Sequence, residues 1–289
     1  MMTNGKKTIA TALSDAVATL SFNKNIDTRR LDAEILLCHI LGCQRIDLTI
    51  DKDKILDETS LSVYNDLIDR RAKNEPVSYI TGKKEFMSLE FDIERGILIP
   101  RPDTEILVEE IIKLYKDKNA NILDLCTGSG AIAVSLAYYL KDAHITAVDK
   151  FDICINTASK NIDKYNLSDR VSVIKKDVLE NLEIAGDFDC VVSNPPYIKT
   201  DVLSTLPADV KDFEPQYALD GGDDGLIFYK KITDFAKNKL NSGGILAYEI
   251  GFDQGVTVTE IIEKTQSFKE IRIVDDLSGQ NRVITAKKR

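Results

Sequence analysis

Apolar residues recur at helical spacing through the first quarter of the chain, then give way to short apolar runs separated by amphipathic stretches. Thr8, Ile9, Leu13, Ala16, Val17 and Leu20 mark one helix. Leu31, Ala33, Leu36, Leu37 and Ile40, behind the cap-like Asp27 and Thr28 and closed by Gly42, mark a second. A third run over 59–73 carries Leu61, Val63, Tyr64, Leu67 and Ile68. These positions predict three or four short amphipathic helices in a small bundle. After Pro76 to Gly82 the period shortens. Glu85 to Ile93 alternates, and a turn at Arg95-Gly96 before Ile97-Leu98-Ile99 predicts a β-hairpin. The expected division is a helical domain over 1–82, a hairpin linker over 83–100 and an α/β domain over 101–289.

In that last part strands and helices alternate, the mark of a doubly wound sheet. Ile99-Pro100-Arg101-Pro102 leads into a helix with Asp103 as the expected cap. Apolar strands follow at 121–125, 144–148, 171–174, 187–192 and 243–250, with two more near 271–274 and 282–285. The link over 275–281 is too short for a parallel crossover, so one terminal strand must run antiparallel. That separates the plan from an all-parallel dehydrogenase sheet.

Composition narrows the class. At 289 residues, with 43% hydrophobic and 29% charged, the chain suits a globular protein with a large and a small domain. No apolar run approaches a membrane span. Cys38, Cys43, Cys126, Cys154 and Cys190 are an odd set without a CxxC pair, which predicts free thiols and a cytoplasmic setting. His39 and His144 stand far apart in sequence, so a histidine metal site is not expected. A net charge of −9 argues against tight non-specific binding to nucleic acid.

The candidate chemistry gathers at strand ends. Ser193-Asn194-Pro195-Pro196-Tyr197 follows a buried strand, at the edge where open α/β sheets bind ligands. Two prolines fix φ, remove two donors and hold Asn194 extended. The loop offers acceptors without competing donors, namely the Asn194 oxygen and the carbonyl of Pro195 or Pro196. Such a set suits a planar amino group; alone, Asn-Pro is equally a strand-ending turn.

Upstream, Asp124 sits inside a strand before Cys126-Thr127-Gly128-Ser129-Gly130, a glycine loop that nucleotide, flavin and sulfonium cofactors all use. Asp124 would repel a pyrophosphate and attract an ammonium group. Asp149 ends the next strand, where an acid accepts ribose hydroxyls. Asp177 and Val178 end the third, placed for an adenine amino group and its ring. Arg101 is either solvated or lines the mouth of a site. The helical part is either a structural cap or a partner-recognition module. The long connection through Glu214 to Gly225 reads as functional or mobile.

Taken together, Pro76 to Gly82 with Glu85-Phe86, Ile99 to Glu105, Asp124 to Gly130, Asp149, Asn194 to Tyr197 and Glu214 to Gly225 carry a resemblance. The sequence resembles the class I S-adenosylmethionine-dependent methyltransferases, of the HemK/PrmC type that methylates a glutamine in bacterial peptide chain release factors. Cys126 departs from the family's usual glycine, and Val178 from a bulkier ring-packing residue. The resemblance implies a Rossmann-like seven-stranded sheet whose last strand is antiparallel. It implies S-adenosyl-L-methionine held by Asp124, Cys126, Thr127, Gly128, Ser129, Gly130, Asp149, Asp177, Val178 and Asn194. It further implies catalysis by Asn194, Pro195 and Tyr197, with Pro196 and Arg101 also meeting the release factor. Rivals are a glutamine methyltransferase of a ribosomal protein, an adenine-N6 nucleic-acid methyltransferase, a nicotinamide dehydrogenase and a non-catalytic cofactor-binding protein.

Overall fold

Five helices, not three or four, follow from the first polar and apolar periods. The computed structural model describes residues 7–180 and 182–289; the polar start, residues 1–6, lies outside the described residues. Two compact units result, one of residues 1–83 with 207–213, the other of residues 84–206 with 214–289.

In the first unit α1 (Ile9–Leu20) is capped by Thr8, whose side chain exchanges hydrogen bonds with Thr11. The second helix, α2 (Arg29–Leu41), stops at Gly42, which takes the left-handed φ of 61°. Next come α3 (Arg45–Ile50), α4 (Glu58–Ala72) under its Asp57 cap, and α5 (Val77–Thr81). Leu13, Leu20, Leu36, Leu37, Tyr64 and Ile68 fill the core. Leu31 and Val63, expected there, are exposed. Asp32 takes the buried place instead, because Arg71 of α4 donates to it at 2.7 Å and the Thr28 hydroxyl at 2.8 Å. A charge can be buried when it is paired and hydrogen-bonded.

The second unit begins with β1 (Lys83–Phe86) and β2 (Leu89–Asp92), a two-stranded sheet. Its turn is Met87-Ser88, with φ of 51° and 58°. Two successive positive φ values match the twist of a tight hairpin. The hairpin expected around Arg95-Gly96 is thereby corrected: those residues do turn, but Ile97 to Ile99 form no strand. The cap expected at Asp103 is corrected as well. In α6 (Pro102–Tyr115) Arg101 is the cap and Pro102 the first residue, where a missing N–H costs nothing.

The remainder is β3 (Ala120–Leu125), α7 (Ala131–Tyr139), β4 (Ala143–Asp149), α8 (Asp152–Lys164), β5 (Val171–Lys175) and β6 (Phe188–Ser193). After them come the short α9 (Ala208–Lys211, part of the first unit), α10 (Ile227–Lys239), β7 (Leu240–Glu249), α11 (Gly255–Lys264), β8 (Phe268–Asp275) and β9 (Asn281–Lys288). The strands form one sheet in the order β5-β4-β3-β6-β7-β9-β8. Only β9 runs antiparallel, paired with β7 on one side and β8 on the other. The expected α/β class with an antiparallel last strand is the one observed. Leu123, Leu125, Val191, Leu246, Tyr248 and Ile284 carry the core of the sheet against its helices.

The strand order reverses between β3 and β6, which creates the crevice where such sheets bind ligands. Register then decides which side chains meet there. Leu125 pairs with Val148 on one side and Ser193 on the other, and Ser193 pairs with Tyr248. The next residue of each strand, Cys126, Asp149, Asn194 and Glu249, is therefore delivered to one edge.

Candidate active site

A cavity of about 400 Å³ opens at that edge. Its glycine-rich wall runs from Cys126 to Gly130, where Cys126, Gly128 and Gly130 take φ of 63°, 56° and 79°. Gly130 has a second reason to be glycine, since an added β-carbon would meet the Ala158 β-carbon at 3.1 Å. Cys126 has no such freedom, and the left-handed conformation costs it roughly 1 kcal/mol.

Cys126, Thr127, Gly128 and Ser129 line the cavity; Gly130 stands behind them at the start of α7. Asp149 also lines it, and its carboxylate accepts the Gly128 N–H at 2.9 Å and the Phe151 N–H at 3.1 Å. Asp124 lies wholly buried under the loop, with Oδ2 accepting from the Thr127 hydroxyl at 2.6 Å. Burial, helped by the nearby Asp149 charge, pushes its pKa up to about 7 against the pull of Thr127. Its Oδ1 finds no partner among the described residues. A buried lone acceptor of raised pKa, beneath a loop of positive-φ residues, fits a cofactor that brings a cationic donor and ribose hydroxyls.

Asp177 and Val178 line the far end. Asp177 is less free than its sequence position suggests, because Lys150 holds one oxygen at 2.7 Å and the Leu179 N–H donates to the other at 2.9 Å. Burial works against its ionisation, but these two donors outweigh it and hold the pKa below the ordinary carboxylate value. Phe151 and Tyr217 stack on each other, ring centroids 3.8 Å apart, and both line the cavity. Neither Lys150 nor this aromatic pair was singled out in the sequence, although Lys150 and Phe151 directly follow Asp149.

At the other end stand Arg101, Thr104, Asn194 and Pro196. Arg101 is half-exposed and ion-paired with the buried Glu214, which also accepts the Ile99 N–H at 3.3 Å. Pro195 is buried and does not line the cavity. Tyr197 does not line it either. Its hydroxyl turns inward and donates to Glu249 Oε1 at 3.1 Å. Burial, with Glu249 adding to it, raises the phenol pKa, so Tyr197 stays neutral.

Asn194 donates its amide nitrogen to Thr104 Oγ1 at 3.1 Å, and Thr104 donates in turn to Glu249 Oε2 at 2.5 Å. Thr104 and Glu249 went unmarked in the sequence. Their only signal was position: two residues into the helix after Pro102, and the end of the strand beside the Asn194 strand.

A glycine loop, a strand-end acid and an Asn-Pro-Pro-Tyr loop on a seven-stranded sheet with one antiparallel strand define a class I methyltransferase, and residues 102–207 match the methyltransferase small domain model. The structure of a methyltransferase from Pyrococcus furiosus shares this fold at 19% identity, over 76% of this chain and 98% of that one, with a TM-score of 0.53. More closely, residues 11–82 match the PrmC N-terminal domain model. The release factor glutamine methyltransferase of Clostridium botulinum is 44% identical over 266 residues, 91% of this chain and 94% of that protein. That of Moorella thermoacetica is 38% identical over 283 residues, 98% and 99% of the two chains. The chain belongs to the release factor glutamine methyltransferase family.

Proposed function

We propose that this enzyme transfers a methyl group from S-adenosyl-L-methionine to the side-chain amide nitrogen of a glutamine, the one in the Gly-Gly-Gln motif of peptide chain release factors. The observation that carries this is the end-to-end match to relatives of that activity, spanning the helical part and the sheet alike. Residues 1–82, with helices α1 to α5, serve as the substrate-recognition domain, 83–100 as linker and 101–289 as the transferase. The setting is cytoplasmic; among the described residues, no helix is long and apolar enough to cross a membrane.

The cofactor, when bound, supplies an already electrophilic methyl. The chain's share is binding and orientation. Asp149 accepts the ribose hydroxyls, Asp177 and Val178 take the adenine edge and face, and the Cys126 to Gly130 backbone lies close along the ligand. Asp124 provides the negative field for an ammonium group, and its unpartnered Oδ1 supports that role.

A carboxamide nitrogen is a poor nucleophile because its lone pair is delocalised. Asn194 Oδ1 and a carbonyl of Pro195 or Pro196 accept its two hydrogens and favour the pyramidal, more basic form. Arg101, at the cavity mouth, meets the incoming protein. Tyr197 supports the loop through Glu249. The proton leaves after transfer, when the nitrogen is strongly acidic, so no dedicated base is assigned.

Mass spectrometry of a release factor incubated with enzyme and S-adenosyl-L-methionine tests the assignment. One methyl on the Gly-Gly-Gln glutamine is expected; an unmodified release factor alongside a methylated ribosomal protein or adenine would overturn it.

A further inference from the structure

Asparagine can present either its oxygen or its NH2 group to a ligand, and only the oxygen can accept an amide hydrogen. What decides between them here is a chain of hydrogen bonds leading away from the cavity. Glu249 is fully buried at the end of β7, and an ionised carboxylate only accepts. It takes the Thr104 hydroxyl on Oε2 and the Tyr197 hydroxyl on Oε1. Thr104 has a single hydroxyl hydrogen, and that hydrogen is committed to Glu249. Toward Asn194 its oxygen can only accept. The Asn194 group facing Thr104 must therefore be the NH2, as the 3.1 Å contact has it, and Oδ1 is turned the other way. Burial raises the Glu249 pKa above the ordinary carboxylate value, with Asp103 of α6 adding to the rise and the Thr104 and Tyr197 hydroxyls and Arg282 of β9 pulling it down. With a hydroxyl on each of its oxygens, the ionised form is the one this arrangement accommodates.

We propose that Thr104 and Glu249 are positioning residues for methyl transfer: Glu249 fixes the Thr104 hydroxyl, and Thr104 fixes which end of the Asn194 carboxamide meets the substrate. This rests on the assignment of Asn194 as the amide acceptor. Both act through Asn194: Thr104 holds its carboxamide and Glu249 holds Thr104. Without the relay the carboxamide can rotate, and its NH2 would then face the two amide hydrogens of the glutamine, donor against donor.

Three substitutions separate this from a packing role. Thr104→Val keeps the shape and removes the hydroxyl, and Thr104→Ser restores the hydroxyl without the methyl. Glu249→Gln can donate to Thr104, which frees the Thr104 hydrogen for Asn194 Oδ1 and reverses the relay. Single-turnover transfer to a release factor is measured beside cofactor affinity for the whole enzyme. Thr104→Val and Glu249→Gln are expected to slow transfer roughly ten- to a hundredfold, with cofactor affinity changed by less than about threefold. Thr104→Ser should keep most of the rate. In an Asn194→Ala background Thr104→Val should add almost nothing, since the residue it acts through is gone.

Wild-type transfer by Thr104→Val, a Thr104→Ser enzyme as slow as Thr104→Val, lost cofactor binding in Thr104→Val, or multiplied effects in the double variant each overturn the proposal. Wild-type transfer by Asn194→Ala alone overturns the acceptor role of Asn194 and this inference with it. A slow Asn194→Ala beside a fast Thr104→Val overturns the relay only.

Discussion

Gly221 lies flat against the backbone of Tyr197: a β-carbon built on it would fall 2.8 Å from Tyr197 Cα and 2.9 Å from the Pro196 carbonyl oxygen. The Gly221 N–H donates to the Ile198 carbonyl at 2.8 Å, and the Ile198 N–H donates to Leu219 at 2.9 Å. The long connection thus returns to brace the Asn-Pro-Pro-Tyr loop from behind. Gly221→Ala must push that loop, because its neighbours there are backbone and cannot rotate away. We expect a stability loss of about 1–3 kcal/mol and a methyl-transfer rate reduced at least about tenfold, read by thermal melts and single-turnover kinetics. A normal rate would free the loop from this brace.

Asn194→Ala should slow methyl transfer at least about a hundredfold, on the order of 3 kcal/mol of barrier. Cofactor affinity should change much less, since Asp149 and the glycine loop are untouched. Asn194→Asp keeps an acceptor but places a negative charge near the sulfonium, which stabilises the ground state and opposes the charge loss of transfer. Slower chemistry with equal or tighter cofactor binding is expected, and rapid-quench rates beside calorimetric affinities report both.

Asp149→Ala should weaken S-adenosyl-L-methionine binding by roughly 1.5–3 kcal/mol, the value of hydrogen bonds to a charged group. Part of that loss comes through Gly128, whose N–H the carboxylate now holds. Calorimetry decides it, and unchanged affinity removes Asp149 from the ribose site.

Asp124 is expected to make cofactor binding depend on pH. Its pKa in the folded, ligand-free protein is raised to about 7, above the ordinary carboxylate value. Its contribution to stability is therefore full below the unfolded pKa, about 4, and is lost as pH rises through the folded value. An ammonium-bearing ligand prefers the ionised form, so binding near pH 6 should expel a proton and tighten as pH approaches about 7. Calorimetry at about pH 6 in buffers of different ionisation enthalpy counts that proton. Asp124→Asn should abolish its release, and equal release from both proteins would reject the coupling.

Much of this architecture is legible in the sequence because strand ends announce themselves. Asp149 and Asn194 each follow an apolar run, and the parallel register carries both to one edge. Three features resist such a reading. The Met87-Ser88 turn uses two residues with no left-handed preference, while Arg95-Gly96 nearby looks the better turn. Leu31 looks like core and Asp32 like surface until Arg71, distant in sequence, supplies the countercharge. Thr104 and Glu249 look like an ordinary helix residue and an ordinary strand end. Their importance comes from a third residue, Asn194, that only the fold brings between β3 and β7.

The Asp32–Arg71 pair has a consequence beyond the energy of one ion pair. Two helices joined by aliphatic side chains alone can slip past each other by a turn, about 5.4 Å, and still find apolar neighbours. Slipping α2 along α4 would instead strand a guanidinium with 8% of its side chain exposed away from its only buried carboxylate partner in α2. Losing one partner of a buried pair costs about 3–5 kcal/mol, a large share of the roughly 5–15 kcal/mol that holds a domain folded. The charge pair works as an index pin: it adds little net adhesion, yet it makes every misaligned docking of the two helices expensive.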